Sequence, residues 1–324
     1  MTAREAALRD ELAARRGRLV EGAAWDEELG DLLRRVDSAL SRLAAPPERL
    51  CSVCHDPIGA DSLAASSSLS ICLECLSADE RRSLERDLER AHRVQRALLP
   101  PVDLRHAGWR GGWLWEPKGA VSGDHVDFVP PRRPEEPAHL LLGDVAGKGV
   151  AASLLQSHLH ALFRSLLAPG DDLGRLLAAA NRRFHAATGA RSYATLVAAR
   201  LHADGTVELA NAGHPRPLVA DRRGVRPVEG SGVPLGLFEE AEYESRSLKL
   251  TEGDTLLLYT DGWTEAESRR GEFGVGRAAA ALRSASDLPL PDLLAACRDE
   301  MTAYLGGGER QDDVTLLALR RERP

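Results

Sequence analysis

The sequence predicts an α+β protein in which two antiparallel β-sheets are covered by helices, with a smaller module in front. Apolar, strand-like runs occur on both sides of a long helical stretch within residues 101–324, and short turn sequences separate them. Paired C-x-x-C motifs lie upstream of that region and indicate the smaller module. The long helices between strands leave a βαβ arrangement open as an alternative.

Composition is that of an ordinary globular protein: 43% of the 324 residues are hydrophobic, 28% are charged and the net charge is −7. Arg-rich segments are interleaved with Asp and Glu, so we expect no nucleic-acid-binding surface. The N-terminus has no apolar signal segment, and no run reaches the ~18 apolar residues of a membrane span. We therefore expect a cytoplasmic protein that binds neither membrane nor nucleic acid, with cysteines reduced unless they bind metal.

Residues 1–48 are predicted to form an N-terminal helical segment. Thr2-Ala3-Arg4-Glu5 has the form of a capping box, and leucines then recur at helical spacing. A second helix is predicted to begin near Asp26 and to end before Pro46-Pro47. The two helices predict either a helical hairpin or an oligomerising surface.

Residues 49–76 contain two C-x-x-C motifs, whose cysteines are Cys51, Cys54, Cys72 and Cys75. Two such motifs at this separation suit one tetrahedral Zn²⁺, and metal binding would supply folding energy that the Ser-rich loop between them lacks. A dithiol redox pair is the alternative, although one C-x-x-C would suffice for it. We predict one structural zinc and expect Cys297, in a predicted helix, to be a small core residue.

Residues 77–100 are predicted to form a linker helix. Its heptad seam consists of Leu84, Leu88, Ala91, Gln95 and Leu98. The seam predicts either packing within the chain or a homodimer in which Gln95 fixes the register. Pro100-Pro101 ends the helix, so the main domain is taken as residues 101–324.

Within the main domain, apolar alternation predicts successive strands and three long helices. The predicted strands are 109–115, 121–128, 139–145, 194–201, 207–211, 217–220, 243–250, 255–260 and 314–320. The predicted helices are 150–168, 172–187 and 289–304, and residues 131–137 are a predicted surface turn.

Four acidic clusters lie at the ends of predicted strands, three of them beside a glycine. They are Asp124 with Asp127, Asp144, Asp261, and the pair Asp312 and Asp313. Carboxylates converging from separate strands would bind hard divalent cations such as Mg²⁺ or Mn²⁺, which would activate water and neutralise phosphate oxygens. A lone Asp-Gly is usually an ordinary turn, but that interpretation weakens when several pairs each end an apolar run.

These residues carry a family resemblance. The motifs, in order, are A-V-S-G-D-H-V-D-F, G-D-V-A-G-K-G-V-A-A, A-T-L, N-A-G-H-P, V-P-L-G, L-L-L-Y-T-D-G-W-T-E-A and Q-D-D-V-T-L. Over residues 107–320 the chain resembles the bacterial PPM-type (PP2C-like) serine/threonine phosphatases of the SpoIIE/RsbU branch. The resemblance implies an αββα sandwich, two Mn²⁺ or Mg²⁺ ions in a cleft between the sheets, and hydrolysis of phosphoserine or phosphothreonine on a protein. It further implies metal-activated hydroxide as nucleophile and a small STAS-domain anti-sigma-factor antagonist as substrate.

The resemblance also implies roles for individual residues. Asp144 would bridge the two metals, with the carbonyl of Val145 as an added ligand. Asp261 and Asp312 would complete the coordination of one metal, and Asp124 would hold the other.

Asp313 is the less favoured member of its pair as a ligand, and Asp127 is expected around the metals in their outer shell, beyond the direct ligands. The eukaryotic relatives have a histidine where this chain has Ala146, so the proton donor to the leaving group is unassigned, and neither Lys148 nor His125 is assigned to it. His214 is interpreted either as a catalytic residue or as a turn histidine bonded to backbone.

Two other functions are compatible with parts of the sequence. A catalytically silent phosphoprotein-binding regulator on the same fold is disfavoured, because such a protein would be expected to have lost a metal carboxylate. A metal-dependent nuclease is disfavoured because no basic groove is evident.

Overall fold

The computed structural model describes residues 51, 53–54, 71–131, 133, 136–167, 172–188 and 192–322. The chain divides into two compact units, Met1–Arg81 and Arg82–Pro324. The helices predicted within residues 1–48 lie outside the described residues, as does most of the loop between the two cysteine pairs. No helix in the described part of the chain is both long and apolar enough to cross a membrane.

The helices are α1 (Ala78–Leu98), α2 (Gly149–Leu166), α3 (Leu173–Thr188), α4 (Asp261–Thr264), α5 (Gly274–Ala285) and α6 (Leu290–Leu305). The strands are β1 (Leu104–His106), β2 (Trp109–Glu116), β3 (Asp124–Val129), β4 (Ala138–Val145), β5 (Ala194–Leu201), β6 (Thr206–Ala212), β7 (Leu218–Asp221), β8 (Gly224–Pro227), β9 (Ser245–Lys249), β10 (Thr255–Tyr259), β11 (Glu267–Ser268), β12 (Gly271–Glu272) and β13 (Val314–Arg321).

The strands form two main antiparallel sheets. One has six strands in the order β1-β2-β13-β10-β7-β8, and the other has five in the order β3-β4-β5-β6-β9. Helices α2 and α3 cover the five-stranded sheet, and α5 and α6 cover the six-stranded sheet. The predicted αββα sandwich is confirmed. Every strand pairing among the described residues is antiparallel, so the βαβ alternative is wrong.

Side chains alternate between two apolar layers along the central strands. On β4, Leu140 and Leu142 face the layer between the sheets, whereas Leu141 packs against the helices. On β10, Leu256 and Leu258 face the same middle layer, and Leu257 faces α5 and α6. Because successive residues point to opposite faces, a strand buried on both sides reads as a continuous apolar run.

The structure differs from the sequence predictions at several elements, since β1, β8, β11, β12 and the one-turn α4 are not predicted. Two further differences have a local cause. The strand predicted over 121–128 begins only at Asp124, because Ser122 and Gly123 form a turn held by side chains from elsewhere. Helix α5 is not predicted, because Gly274 and Gly276 lie in its first turn and its core face is mainly alanine.

Candidate functional site

The candidate site lies where the two sheets end side by side. Asp124 on β3 is the direct cross-strand partner of Asp144 on β4. By strand alternation both continue the faces that carry Val126 and Leu142 in the layer between the sheets. The two carboxylates are therefore adjacent and point towards the opposite sheet.

The opposite sheet supplies two threonines and three further carboxylates. Thr260 and Thr315 each donate a hydroxyl hydrogen bond to Asp124 Oδ2, which joins the two sheets. Asp261 follows Thr260 as the first residue of α4, and Asp312 and Asp313 precede β13.

Gly262 lets these two segments approach each other. A Cβ atom at this position would lie 2.0 Å from the carbonyl oxygen of Asp313. No side chain fits in that space, so a glycine after Asp261 is required for the turn that carries Asp312 and Asp313 to lie against α4.

Asp312 and Asp313 make different contacts. Both carboxylate oxygens of Asp313 accept hydrogen bonds from the loop before β3: from the Lys118 backbone at 2.6 Å, the Ser122 hydroxyl at 2.7 Å and the Gly123 backbone at 2.9 Å. Asp312 Oδ2 lies 2.9 Å from Lys148 Nζ. Asp313 therefore anchors a loop, whereas the Asp312 carboxylate faces the cleft beside a cation.

The carboxylates at this site repel one another. Burial, and then the charges of Asp313 and Asp261, hold the pKa of Asp124 well above its usual range. The pKa of Asp144 is likewise raised, first by burial and then by four carboxylates, of which Asp124 has the largest effect. The site thus has an excess of negative charge that a bound cation would relieve.

The donor atoms fit hard divalent cations. A Cβ at Gly123 would lie 3.0 Å from both Asp144 Oδ1 and the Val145 carbonyl oxygen, so these two oxygens border the same space. Carboxylate and carbonyl oxygens are the ligands that Mg²⁺ and Mn²⁺ prefer.

Asp127 lies on the other face of β3, in contact with α2. Arg164 contacts both of its carboxylate oxygens, at 2.6 and 2.7 Å, and His160 Nδ1 lies 3.6 Å from Oδ2. His125 on the same face completes a group of ligand-type side chains. Arg164 already supplies the compensating charge, so Asp127 is a structural anchor for α2 and its expected place around the metals is wrong.

His214 is a buried turn histidine. Its backbone N–H donates to Asn211 Oδ1, the Asn211 amide donates to the His214 carbonyl, and its ring hydrogen-bonds to Thr195 Oγ1 at 2.9 Å. Burial lowers its pKa to about 3. An imidazole held neutral in this way is not suited to donate a proton near pH 7, which favours the turn interpretation.

Helix α1 contacts the loop that leads to Asp124. The buried amide of Gln95 donates to the Ser122 carbonyl at 2.6 Å and accepts from the Ser122 N–H at 3.0 Å. It also donates to Gln156 Oε1 on α2 at 3.2 Å. Gln95 is thus occupied within the chain, so the alternative in which it fixes a dimer register is wrong.

The four cysteines of the first unit form a compact cluster. All four sulfur atoms lie within 4.8 Å of one another, and Cys54 Sγ is 3.7 Å from Cys72 Sγ. Backbone N–H groups, that of Cys54 foremost, lower the pKa of the Cys51 thiol to about 6. Sulfurs around a tetrahedral Zn²⁺ with bonds of about 2.3 Å would be about 3.8 Å apart, so the cluster fits this ion.

An open depression of about 780 Å³ adjoins the cleft. It lies between the β11–β12 hairpin and the end of α6, and Gln311 lines it next to Asp312.

Sequence reasoning missed the supporting residues at the cleft. Thr260 and Thr315 are part of the Y-T-D-G and D-D-V-T motifs, and their place in the strand alternation could have indicated that they face Asp124. No local signal indicates that Lys118 and Gln156 reach the site.

Two antiparallel sheets between helix layers, with carboxylates gathered where the sheets end, place the protein in the PP2C fold class. The structure resembles the SiaA-PP2C domain of Pseudomonas aeruginosa with a TM-score of 0.66 and 23% identity, over 75% of this chain and 98% of that one. Residues 134–322 match the family described as Stage II sporulation protein E (SpoIIE), and the chain belongs to that family.

Two relatives illustrate the similarity. The phosphoserine phosphatase RsbP of Bacillus subtilis is 27% identical over 215 residues, which are 64% of this chain and 51% of the relative. The RsbU and RsbW domains of Rv1364c from Mycobacterium tuberculosis match with a TM-score of 0.58 and 30% identity, over 70% of this chain and 62% of that one. The chain spans about half the length of the curated relatives it matches.

Proposed function

We propose that this protein is a metal-dependent phosphatase that hydrolyses phosphoserine or phosphothreonine on a regulatory protein. The observation that carries the proposal is the convergence at one cleft of five aspartates from β3, β4, the start of α4 and the turn before β13, where burial and like charges hold the pKa values of Asp124 and Asp144 well above their usual range. Relatives named phosphoserine phosphatases, RsbP and RsbU, support the reaction class.

In this proposal Asp144 and the Val145 carbonyl would hold two Mn²⁺ or Mg²⁺ ions together with three further carboxylates. Asp261 and Asp312 would serve one ion, and Asp124 would serve the other. Asp313 acts mainly by fixing the loop before Asp124, because both of its oxygens accept hydrogen bonds there. When bound, the ions supply an activated water for in-line attack on phosphorus and counter the charge on the phosphoryl oxygens.

The test is Asp144→Asn and Asp261→Asn in the full chain, assayed with p-nitrophenyl phosphate and Mn²⁺. We expect each variant to lose at least ~10³-fold in activity, because each removes a charged ligand. Retention of full Mn²⁺-dependent hydrolysis by either variant would refute the assignment. A wild-type rate that is the same in Mn²⁺ and in EDTA would instead favour a silent phosphoprotein-binding regulator.

The substrate in this proposal is a small phosphorylated STAS-domain antagonist of an anti-sigma factor. The family resemblance supports this choice. In a strain lacking the protein, a phosphoserine on a STAS protein should accumulate in a phosphoproteomic comparison. If phosphorylated STAS proteins are unchanged while another phosphoprotein accumulates, the proposed substrate is wrong and the reaction class stands.

We propose the chain organisation predicted from sequence: a helical segment (1–48), a zinc module (49–76), a linker helix (77–100) and the phosphatase domain (101–324). The sulfur geometry supports one structural Zn²⁺ held by Cys51, Cys54, Cys72 and Cys75. Substitution with Co²⁺ should give intense thiolate-to-metal absorption that is lost in Cys54→Ser/Cys75→Ser. Cys297→Ala is the matched control, since this cysteine is buried in α6. Absorption unaffected by the double substitution would contradict the site.

We further propose that the linker helix regulates the cleft. The support is the contact of Gln95 with Ser122, whose hydroxyl and following backbone bind Asp313. Gln95→Leu should change Mn²⁺ affinity, whereas substitution of the exposed Glu89 to Gln on the same helix should not. Equal activity and metal affinity of Gln95→Leu, wild type and a protein beginning at residue 101 would exclude this coupling.

A homodimer through residues 77–100 also remains part of the proposal, now without Gln95 at its seam. Leu84 and Leu88 are two of the four other seam positions, and both are only partly buried. Leu84→Glu/Leu88→Glu should convert a dimer to a monomer in light scattering, and a wild-type monomer at all concentrations would contradict it.

A further inference from the structure

Lysine is rare in this chain, and its placement is unusual. Of the 42 basic residues only three are lysines, Lys118, Lys148 and Lys249. Two of these three reach the same backbone carbonyl, that of Gln311, directly before Asp312. All other basic residues except Lys249 are arginines, so the presence of two lysines side by side at the rim of the cleft indicates a role that arginine does not fill.

The two ammonium groups are close together. Lys118 Nζ lies 2.8 Å and Lys148 Nζ 2.7 Å from the Gln311 carbonyl oxygen. Lys148 Nζ is also 2.9 Å from Asp312 Oδ2, and about half of its side chain is exposed. Two like charges are thus held within a few ångströms of each other at the mouth of the site.

The neighbouring arginine shows what a purely structural cation does here. Arg310 donates to the Glu116 carbonyl at 2.8 Å and forms an ion pair with the Glu116 carboxylate at 3.1 Å. Glu116 also pairs with Arg298 at 2.9 Å, and Arg298 has a second acid in Asp299 at 2.6 Å, so two arginines are matched by two carboxylates. The two lysines share one carboxylate and one carbonyl between them, which leaves positive charge unmatched.

The two lysine ammonium groups also have N–H donors that are not bonded to protein oxygens among the described residues. An ammonium group has three N–H donors. Among the described residues, Lys148 uses two on protein oxygens and Lys118 uses one, so three N–H donors remain for a ligand. A phosphoryl group presents three peripheral oxygens, which matches this number.

The net charge of the cleft indicates that the ligand of the two lysines is an anion. The five aspartates carry five negative charges, and two divalent cations would bring four positive ones. A phosphate monoester dianion would then meet a site with a net charge of −1. The two lysines change this to +1, which allows the dianion to bind.

We propose that Lys118 and Lys148 form a paired-ammonium site that binds the peripheral oxygens of the substrate's phosphoryl group. The inference rests on the proposed phosphatase function and adds the residues that hold the phosphate. Ammonium groups suit the task because they are compact point charges, so two of them can share one carbonyl oxygen.

The probe is inorganic phosphate, titrated into the full-length Mg²⁺-loaded protein and followed by ³¹P NMR. We expect Lys118→Gln and Lys148→Gln each to weaken phosphate binding about tenfold, because each removes a charge-assisted hydrogen bond. The KM for a phosphoserine peptide should rise more than kcat falls. Lys148→Arg keeps the charge and should stay within about threefold of wild type.

Lys249→Gln is the matched control. Its ammonium group pairs with Asp204 at 2.8 Å on the exposed edge strand β9, and phosphate binding should be unchanged. Calorimetric Mg²⁺ and Mn²⁺ affinities of the Gln variants should be no weaker than wild type, since removal of a cation beside Asp312 cannot oppose metal binding.

The decisive variant is the double substitution Lys118→Gln/Lys148→Gln. If its phosphate affinity equals that of wild type while its Tm or metal affinity is lowered, the proposal is overturned and the lysines only support the Gln311 turn. If wild type binds phosphate through these lysines but shows no metal-dependent hydrolysis, the paired-ammonium site stands and the phosphatase function fails.

Discussion

Strand β4 carries polar residues at both of its ends. At one end the neighbouring charges have the same sign, and at the other end they have opposite signs and form an ion pair. Asp144, at the cleft end, lies beside other acids, and like charges with burial raise its pKa. His139, five residues or about 16 Å away, lies beside Arg200, which is paired with Glu208 at 3.1 Å.

The difference separates a functional polar cluster from a structural one. At the far end the charges of Arg200 and Glu208 match, so the group is satisfied within the protein. At the cleft end the nearest compensating groups are hydroxyls and one exposed lysine. An unmatched buried charge costs stability unless a ligand supplies the opposite charge, so the cleft is the end that binds something.

The largest expected effect is at the cleft. Asp144→Asn should abolish metal-dependent hydrolysis yet raise the free energy of unfolding in EDTA by about 1–2 kcal/mol, because it removes one of the crowded buried charges. Urea denaturation in EDTA measures this. A variant that is less stable than wild type in EDTA would show that the carboxylates do not repel one another as described.

The matched change at the far end is Glu208→Gln, which also converts an acid to its amide. Here we expect a loss of about 2 kcal/mol, since the mostly buried Arg200 loses its partner, and a hydrolysis rate equal to wild type. The same urea experiment compares the two variants. If both substitutions shift stability in the same direction, the contrast between the two ends is wrong.

A smaller effect should appear with pH at the far end. Burial, and then the charge of Arg200, lower the pKa of His139 to about 4, whereas an unfolded histidine titrates near ~6.5. The folded protein binds this proton less readily, so stability present above pH ~6.5 is lost as the pH falls towards 4.

Between pH 7 and 5 wild type should therefore lose about 1–2 kcal/mol more than His139→Asn. The other buried histidines are present in both proteins and cancel in the difference. Parallel stability–pH curves for the two proteins would mean that His139 stays accessible to protons in the folded state.

The sequence by itself determined the features that depend on local periodicity and residue chemistry. The apolar runs along 139–145 and 255–260 predicted strands, and the acids near the ends of these strands predicted an oxygen-rich site. The cysteine spacing predicted a four-sulfur cluster, and the sulfur atoms do lie together. Each of these inferences uses residues close in sequence, where backbone geometry fixes which side chains share a face.

Tertiary structure decided which strand ends meet and which faces their side chains occupy. Asp124 and Asp127 belong to one motif, yet β3 turns the first towards the cleft and the second towards Arg164 on α2. Thr315 reaches Asp124 across 191 positions, and Lys118 reaches Gln311 across 193. The sequence spacing places Gln95 on a heptad seam, but its side-chain amide hydrogen-bonds to the backbone of Ser122. Sequence periodicity cannot determine such contacts, because they depend on the order in which strands distant in sequence pair within each sheet.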